Sequence, residues 1–97
     1  MTVYLVAQLA FKDIKAYRRY QAKFMDVFRK FDGRLLAADE HAKVSEGHWQ
    51  KDKVVIMSFP DEAALIRFAD SPEYQEISKD RRAGADTVSL VVRGIST

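Results

Sequence analysis

Five side chains in this sequence are candidates to contact a small ligand: Gln8, Trp49, Ser58, Tyr74 and Arg82. Gln8 and Ser58 are polar exceptions within apolar segments, and a polar group buried in such a segment needs a hydrogen-bond partner. A bound substrate would supply that partner. A hydrogen bond across strands or between subunits is the alternative that we favour, because buried polar groups usually serve packing.

Trp49 is the only tryptophan and lies beside Gly47, where the chain is expected to turn. Its ring could stack on a ligand or line the mouth of a cavity. The alternative is a structural role, because a single tryptophan beside a turn more often covers the edge of a core.

Tyr74 shares a helical region with Arg81 and Arg82. A guanidinium group beside a phenol can bind a carboxylate or an enolate, and Arg82 is the candidate to hold such an anion. The alternative that we favour is an ion pair with a nearby acidic residue: Glu76, Asp80 or Asp86. If these side chains form a site, their chemistry suits proton transfer or an oxidation without a cofactor.

The sequence offers little for metal or cofactor binding. It has no cysteine, which excludes disulfides, and the spacing of its two histidines, His41 and His48, matches no ligand motif. Its four glycines are isolated, so the sequence contains no phosphate-binding loop and no nucleophile elbow. We therefore expect no metal and no cofactor.

Hydrophobic periodicity predicts the elements that would position these residues. Residues 3–11 alternate with apolar side chains on both faces, which predicts a strand covered on both sides. Asp13 and Ser71 are expected helix starts, while Gly33 and Pro60 are expected stops. The pattern predicts strands over residues 3–11, 34–40, 53–59 and 87–93, and helices over residues 13–31, 61–69 and 71–80. Polar residues 41–48 would extend or bulge the second strand, and residues 81–86 would form a connector.

This order, β-α-β-β-α-β, predicts an α+β, ferredoxin-like fold with a four-stranded antiparallel sheet and helices on one face. The first and third strands are expected in the centre of the sheet, because they are apolar on both faces. The helices can cover only one of those faces. A large exposed apolar face is rare on a monomer, so we expect a homodimer in which a second copy covers the other face.

Composition limits the remaining possibilities. The chain has 97 residues, of which 47% are hydrophobic and 31% charged, and this indicates one globular domain over residues 1–97. No signal peptide and no membrane-spanning run is visible, so we expect a cytoplasmic protein without membrane contact. The first helix is basic, but the predicted third strand has one aromatic residue and no glycine. A base-stacking platform is therefore missing, and no nucleic-acid partner is expected.

Several short motifs occur in an order that resembles one known family. They are Tyr17-x-x-Tyr20, Gly33-Arg34-Leu35-Leu36-Ala37, Glu46-Gly47-x-Trp49, Phe59-Pro60, Ala63-Ala64 and Ser71-Pro72-Glu73-Tyr74. Together they resemble the domain of unknown function family thirteen-thirty, of the dimeric α+β barrel superfamily, over nearly the whole chain. The resemblance implies a ferredoxin-like subunit and a face-to-face dimer that encloses a cavity. It implies no activity, and Ser58 departs from the family pattern, which often has an acidic residue before Phe-Pro.

Two functional hypotheses follow. The first is a homodimer that holds a small organic ligand between its sheet and helices, with or without cofactor-free proton transfer or oxidation. The alternative is a non-catalytic dimeric interaction or structural protein. An open cavity with converging polar groups would support the first hypothesis, whereas a cavity filled by side chains would favour the second.

Overall fold

The structure, a computed structural model, describes residues 1–95. The elements in this range are β1 (Val3–Phe11), α1 (Ile14–Phe28), β2 (Arg34–Asp39), β3 (Lys53–Phe59), α2 (Glu62–Ala69), α3 (Pro72–Gly84) and β4 (Ala85–Arg93). The strands form an antiparallel sheet in the order β2-β3-β1-β4, so β1 and β3 are central. This confirms the predicted α+β, ferredoxin-like fold.

The helices begin where the sequence indicates, because a side chain caps each one. The Asp61 carboxylate accepts a hydrogen bond from the Ala64 amide at 2.8 Å, and the Ser71 hydroxyl accepts one from the Tyr74 amide at 3.2 Å. Asp13 caps α1 in the same way. Each cap satisfies an amide that the first helical turn leaves without a backbone partner.

α1 ends at Phe28 and not at about Phe31 as predicted. The amides of Lys30 and Phe31 bond to carbonyls three residues earlier, at 3.1 and 3.0 Å, which tightens the last turn and ends the helix. Phe31 still packs on the core, with its ring centroid 5.6 Å from that of Phe68. The apolar pattern of α1 in the sequence therefore extends beyond the end of the helix, because Phe31, which follows the helix, also packs in the core.

The predicted connector over residues 81–86 is wrong. α3 continues through those residues to Gly84, and β4 begins at Ala85. The helix can continue because its last turn contains Arg81 and Arg82, whose charges suit the negative end of the helix dipole.

Gly84 attaches the end of α3 to the start of α1. Its carbonyl accepts hydrogen bonds from the amides of Lys12 and Asp13, at 2.9 and 3.1 Å. A Cβ atom at this position would lie 2.4 Å from the backbone nitrogen of Tyr17, so only glycine allows this approach. The helix–helix contact, and not a flexible connector, fixes where α3 ends.

β2 is shorter and less regular than predicted. It ends at Asp39, whose carboxylate accepts a hydrogen bond from the His41 amide at 2.7 Å and so turns the chain. The strand bulges at Leu36, between the pairs that Leu35 and Ala37 make with β3. Residues 40–52 form a loop, with Gly47 in the left-handed region at φ +87°, so the polar segment does not extend β2.

The hydrophobic core lies between the helices and one face of the sheet, and aromatic rings dominate it. The centroid of the Phe68 ring lies 5.3 Å from that of Phe28, 5.7 Å from that of Phe59 and 4.4 Å from that of Tyr74. Such pairs stabilise the fold by about 0.5–1.5 kcal/mol each beyond simple burial. The core is therefore solid at the end of the sheet where α2 begins.

The opposite face of the sheet is called the open face here. By register it carries Tyr4, Val6, Gln8, Val54, Ile56, Ser58, Val88, Leu90 and Val92. Val88, Leu90 and Val92 are 44–51% exposed, and no helix of residues 1–95 covers them. An apolar face of this kind is unusual on a monomeric protein.

Candidate functional site

A cavity of about 510 Å³ lies between the helices and the covered face of the sheet. Its walls are mainly apolar and come from every helix and strand of the described range. They include Leu5, Leu9, Phe24, Met57, Leu65 and Val91. A cavity of this size and character can enclose a small organic molecule.

The space exists because one row of the sheet has small side chains. Ala38, Val55, Ala7 and Ser89 face one another across the sheet, and all four line the cavity. Alanine and serine side chains are too short to reach the helices above them, so this row leaves a gap beneath the helices, and the larger residues of the neighbouring rows line its sides. The row therefore forms the floor of the cavity.

Polar groups collect at one end of this floor. The next row places Leu9 between Lys53 of β3 and Thr87 of β4. Both polar residues line the cavity, as do Tyr17 and Arg81 from the helices. The strand pairing brings Lys53 and Thr87 to the same end, so the cavity has one polar end, and the rest of its wall is mostly apolar.

Lys53 is a buried cation at this end, with its side chain 4% exposed. Its ammonium nitrogen lies 3.6 Å from the Glu40 carboxylate and 4.9 Å from the centre of the Tyr17 ring. Burial lowers the pKa of Lys53, and the charge of Glu40 partly offsets this effect. Lys53 is thus a group whose proton is easier to remove than that of an exposed lysine.

Glu40 holds Lys53 only weakly, because it binds Arg18 more closely. Arg18 donates two hydrogen bonds to the carboxylate, at 2.6 and 2.8 Å. These bonds, together with the charges of Arg18 and Lys53, lower the pKa of Glu40 to about 2. One carboxylate therefore faces two cations, and this cluster retains a net positive charge.

The cavity wall contains a hydrogen-bonded pair of tyrosines. The hydroxyl oxygens of Tyr20 and Tyr74 lie 3.0 Å apart. Burial is the main cause that raises the pKa of Tyr20, and it also raises the pKa of Tyr17 to about 12. Near neutral pH the phenols of Tyr17 and Tyr20 therefore keep their protons, so they can serve as hydrogen-bond donors to a ligand.

Arg81 is the second cation at the polar end. One nitrogen of its guanidinium group, Nη1, donates to the Thr87 hydroxyl at 3.1 Å. Its Nε atom is buried and has no hydrogen-bond partner among the described residues. Buried polar atoms are nearly always paired, so this atom marks a place where a partner is missing.

The five candidates named from the sequence do not form one group. Tyr74 lines the cavity. Gln8 and Ser58 belong to the open face, on the other side of the sheet, and Trp49 donates a hydrogen bond to Gln8 at 2.9 Å. Arg82 donates to the Ser78 hydroxyl at 2.8 Å and does not line the cavity. A ligand in the cavity would therefore contact Tyr74 and none of the other four.

The ion pairs proposed for Arg81 and Arg82 are not present among residues 1–95. Their expected partners bind other cations: Glu76 pairs with Lys79, Asp80 with Arg19, and Asp86 with Lys12. Arg81, Lys53 and Tyr20 line the cavity but were not among the five candidates. The signal that could have found Lys53 is a lysine that begins an otherwise apolar strand.

Neither a cluster of metal ligands nor a membrane-spanning helix occurs among the described residues. No three histidine, aspartate or glutamate side chains of residues 1–95 converge as metal ligands. His41 and His48 are exposed on the loop before β3. No helix within the same range combines the length and apolar character that crossing a membrane requires.

Residues 2–95 match the model of a protein family described as a domain of unknown function (DUF1330). No protein of curated function is similar enough in sequence to match the chain. A crystal structure of a protein of unknown function from Rhodopseudomonas palustris, RPA0582, superimposes with a TM-score of 0.83 at 18% identity. The match covers 99% of this chain and 84% of that one.

Two further crystal structures are similar in fold. SnoaB, a cofactor-independent oxygenase from Streptomyces nogalater, has a TM-score of 0.73 at 14% identity, covering 99% of this chain and 95% of its own. A dimeric ferredoxin-like protein of unknown function from Jannaschia sp. CCS1 has a TM-score of 0.74 at 14% identity, covering 97% and 100%. At these identities the likeness concerns the fold alone.

Proposed function

The chain belongs to the DUF1330 family of domains of unknown function, and on that premise we propose that it is a homodimer that holds a small organic ligand between sheet and helices. The observation that carries this proposal is the cavity of about 510 Å³, apolar over most of its wall and polar at one end. Ligand sites commonly combine an apolar wall with a few converging polar groups. The interaction-protein alternative requires side chains to fill this space, and they do not fill it.

A neutral fluorescent probe, N-phenyl-1-naphthylamine, tests the binding proposal. We expect its emission to rise in the presence of the protein, and we expect Ala7→Phe to abolish the rise by filling the floor of the cavity. Ala22→Leu is the matched control, because Ala22 is exposed on α1 and does not line the cavity. No rise with the unaltered protein, or an equal rise with Ala7→Phe, would favour the non-catalytic interaction protein.

The partner that we propose for the open face is a second copy of the chain. Val88, Leu90 and Val92 are exposed there, and a two-fold axis would bury the same residues on both copies. The dimeric ferredoxin-like protein from Jannaschia, which has this fold, supports the choice. The dimer interface would then include Gln8, Ser58 and Trp49. These residues would have the structural role that the sequence indicates as the alternative, and they would not contact the ligand.

If the protein is an enzyme, we propose cofactor-free proton transfer or oxidation. The support is the fold shared with SnoaB, a cofactor-independent oxygenase, together with the groups at the polar end. Lys53, a cation whose burial makes its proton easier to remove, is suited to donate a proton to a ligand oxygen, and Arg81 is suited to stabilise negative charge on the ligand. Proton transfer would appear in D2O as deuterium incorporation into a bound ketone, followed by NMR. A rate unchanged in Lys53→Met would exclude that role for Lys53.

A further inference from the structure

We propose that the cavity takes an organic anion, a carboxylate on an apolar body, and that Arg81 binds its charge. This inference rests on the proposed function, since it names the class of molecule that the same cavity would hold. It begins from Arg81, a cation that lines the cavity and takes part in no ion pair within residues 1–95. A cation in a mostly apolar wall that lacks a counter-charge is costly, and the carboxylate of a ligand would supply that counter-charge.

The geometry of the guanidinium group supports a carboxylate as the missing acceptor. Nη1 donates one hydrogen bond to Thr87 and Nε is enclosed by protein, so the donors left for a ligand are the other N–H groups of the two terminal nitrogens. The terminal nitrogens of a guanidinium group offer two parallel N–H groups, and the oxygens of a carboxylate match their spacing. The bond to Thr87 also holds the group at the polar end of the floor.

The charge of Arg81 is not balanced by the acidic residues nearest to it in sequence. Asp80 pairs with Arg19 at 3.2 Å, and Asp86 pairs with Lys12 at 3.2 Å. Arg81 itself takes part in no ion pair among the described residues. Its positive charge therefore has to be met by solvent or by a bound anion.

The remaining charges of the cavity reinforce this polarity. Lys53 shares Glu40 with Arg18, so that cluster is positive overall. The acidic residues that line the cavity are Glu62 and Asp70, both exposed and both at the ends of α2. Glu62 begins α2 shortly after Phe59, which is the far end of β3 from Lys53, about 20 Å along the strand. The polar end is cationic overall, because the Glu40 carboxylate there is shared by two cations, Arg18 and Lys53.

The rest of the cavity sets the character of the ligand body. Leu5, Phe24, Met57 and Leu65 line the wall beyond the polar end, and they favour an apolar or aromatic group. Tyr17 and Tyr20 remain neutral near pH 7, so they can donate to the anion without repelling it. One apolar body with one carboxylate fits this arrangement better than a highly charged ligand would.

The test compares two ligands of the same shape that differ in charge. Naphthalene-2-carboxylate and naphthalene-2-carboxamide are titrated against bound N-phenyl-1-naphthylamine at pH 7.5, with direct calorimetry of each ligand as a second measurement. We expect the carboxylate to bind about tenfold to a hundredfold more tightly than the amide. Arg81→Gln should remove that difference and leave the neutral probe bound. Arg82→Gln is the matched control and should retain the difference.

The outcomes separate this inference from the function on which it rests. Equal affinities for acid and amide in the unaltered protein would overturn the anion inference while the binding of the neutral probe still supported the proposed function. A preference for the acid that survives in Arg81→Gln would overturn the assignment to Arg81. No binding of probe, acid or amide would overturn both. The comparison in the unaltered protein stands even if Arg81→Gln does not fold.

Discussion

The phenolic oxygens of Tyr20 on α1 and Tyr74 on α3 lie 3.0 Å apart, within hydrogen-bond distance, although the residues are far apart in sequence. Their rings are 6.2 Å apart in an edge-to-face arrangement. This pair joins the two helices above the cavity and places a donor in its wall. Its loss should therefore be visible in stability as well as in ligand binding.

Tyr74→Phe should lower the free energy of unfolding by about 1 kcal/mol, because the buried hydroxyl of Tyr20 loses its partner. Urea unfolding followed by circular dichroism measures this change. The control is the double variant Tyr20→Phe/Tyr74→Phe, which removes both hydroxyls. It should be no less stable than Tyr74→Phe, since no hydroxyl is then left unpaired. Additive losses from the two single variants would argue against the bond.

The ion pair between Arg18 and Glu40 predicts a dependence of stability on acid pH. Arg18 holds the pKa of Glu40 at about 2 in the folded protein, against an ordinary value of 4.5. Because folding lowers the pKa of this carboxyl group, the ionised carboxylate stabilises the folded protein above pH 4.5. This contribution is lost as the pH falls toward 2. Arg18 is 46% and Glu40 25% exposed, so solvent screening limits this contribution to about 1 kcal/mol.

Glu40→Gln should therefore be less stable at pH 7 and should lose less stability than the unaltered protein between pH 4.5 and 2. Thermal unfolding across this pH range measures the difference. Glu46→Gln is the control, because Glu46 is exposed and belongs to no ion pair of the described residues. If Glu40→Gln and Glu46→Gln gave the same pH profile, the pair would contribute nothing measurable.

Gly84→Ala should destabilise the fold by at least about 1–3 kcal/mol, because the added Cβ would lie 2.4 Å from the backbone of Tyr17. The clash is with backbone, so a side-chain rotation cannot relieve it. Denaturant unfolding should give a smaller loss for Gly47→Ala. That glycine has φ +87° but has no atom near its Cβ position, so only local strain of about 1 kcal/mol is added. The reverse order of losses would contradict the close contact of α3 with α1.

Leu90→Asp should convert the proposed dimer into a monomer, because it puts a charge into the apolar open face, midway along β4. Sedimentation velocity at micromolar concentration measures the mass. Ile14→Asp is the matched control: Ile14 is also exposed and apolar, but it begins α1 and lies outside the open face. A monomeric unaltered protein, or an unchanged dimer in Leu90→Asp, would exclude this face as the interface.

The order of the elements could be predicted from the sequence because polarity changes and capping residues mark their starts. The face of the sheet that the helices cover could not. Residues 3–11 are apolar on both sides, so period-two alternation groups Gln8 with Val6 but does not say which side meets the helices. The structure places Val6 and Gln8 on the open face, away from the helices.

The sequence named Arg82 as a candidate, whereas Arg81 is the arginine that lines the cavity, and the reason is related. The sequence predicted a connector there, and a side chain in a connector has no predictable direction. The helix in fact continues to Gly84, so successive residues point about 100° apart and only Arg81 reaches the cavity. The charges of Arg81 and Arg82 suit the last turn of α3, but the contact with α1 that fixes its end at Gly84 comes from the other half of the chain, and no local pattern records that contact.

The strand order has a consequence for synthesis on the ribosome. β1 pairs with β3 and β4 but not with β2, so the first half of the chain contains no two strands that pair with each other. A nascent chain that ends before residue 53 can form α1 but no sheet, and the stripe of α1 then has nothing to pack on. Long-range pairing of this kind slows folding and leaves apolar surface exposed meanwhile. The sheet of this small domain should therefore begin to form only after β3 has left the ribosome.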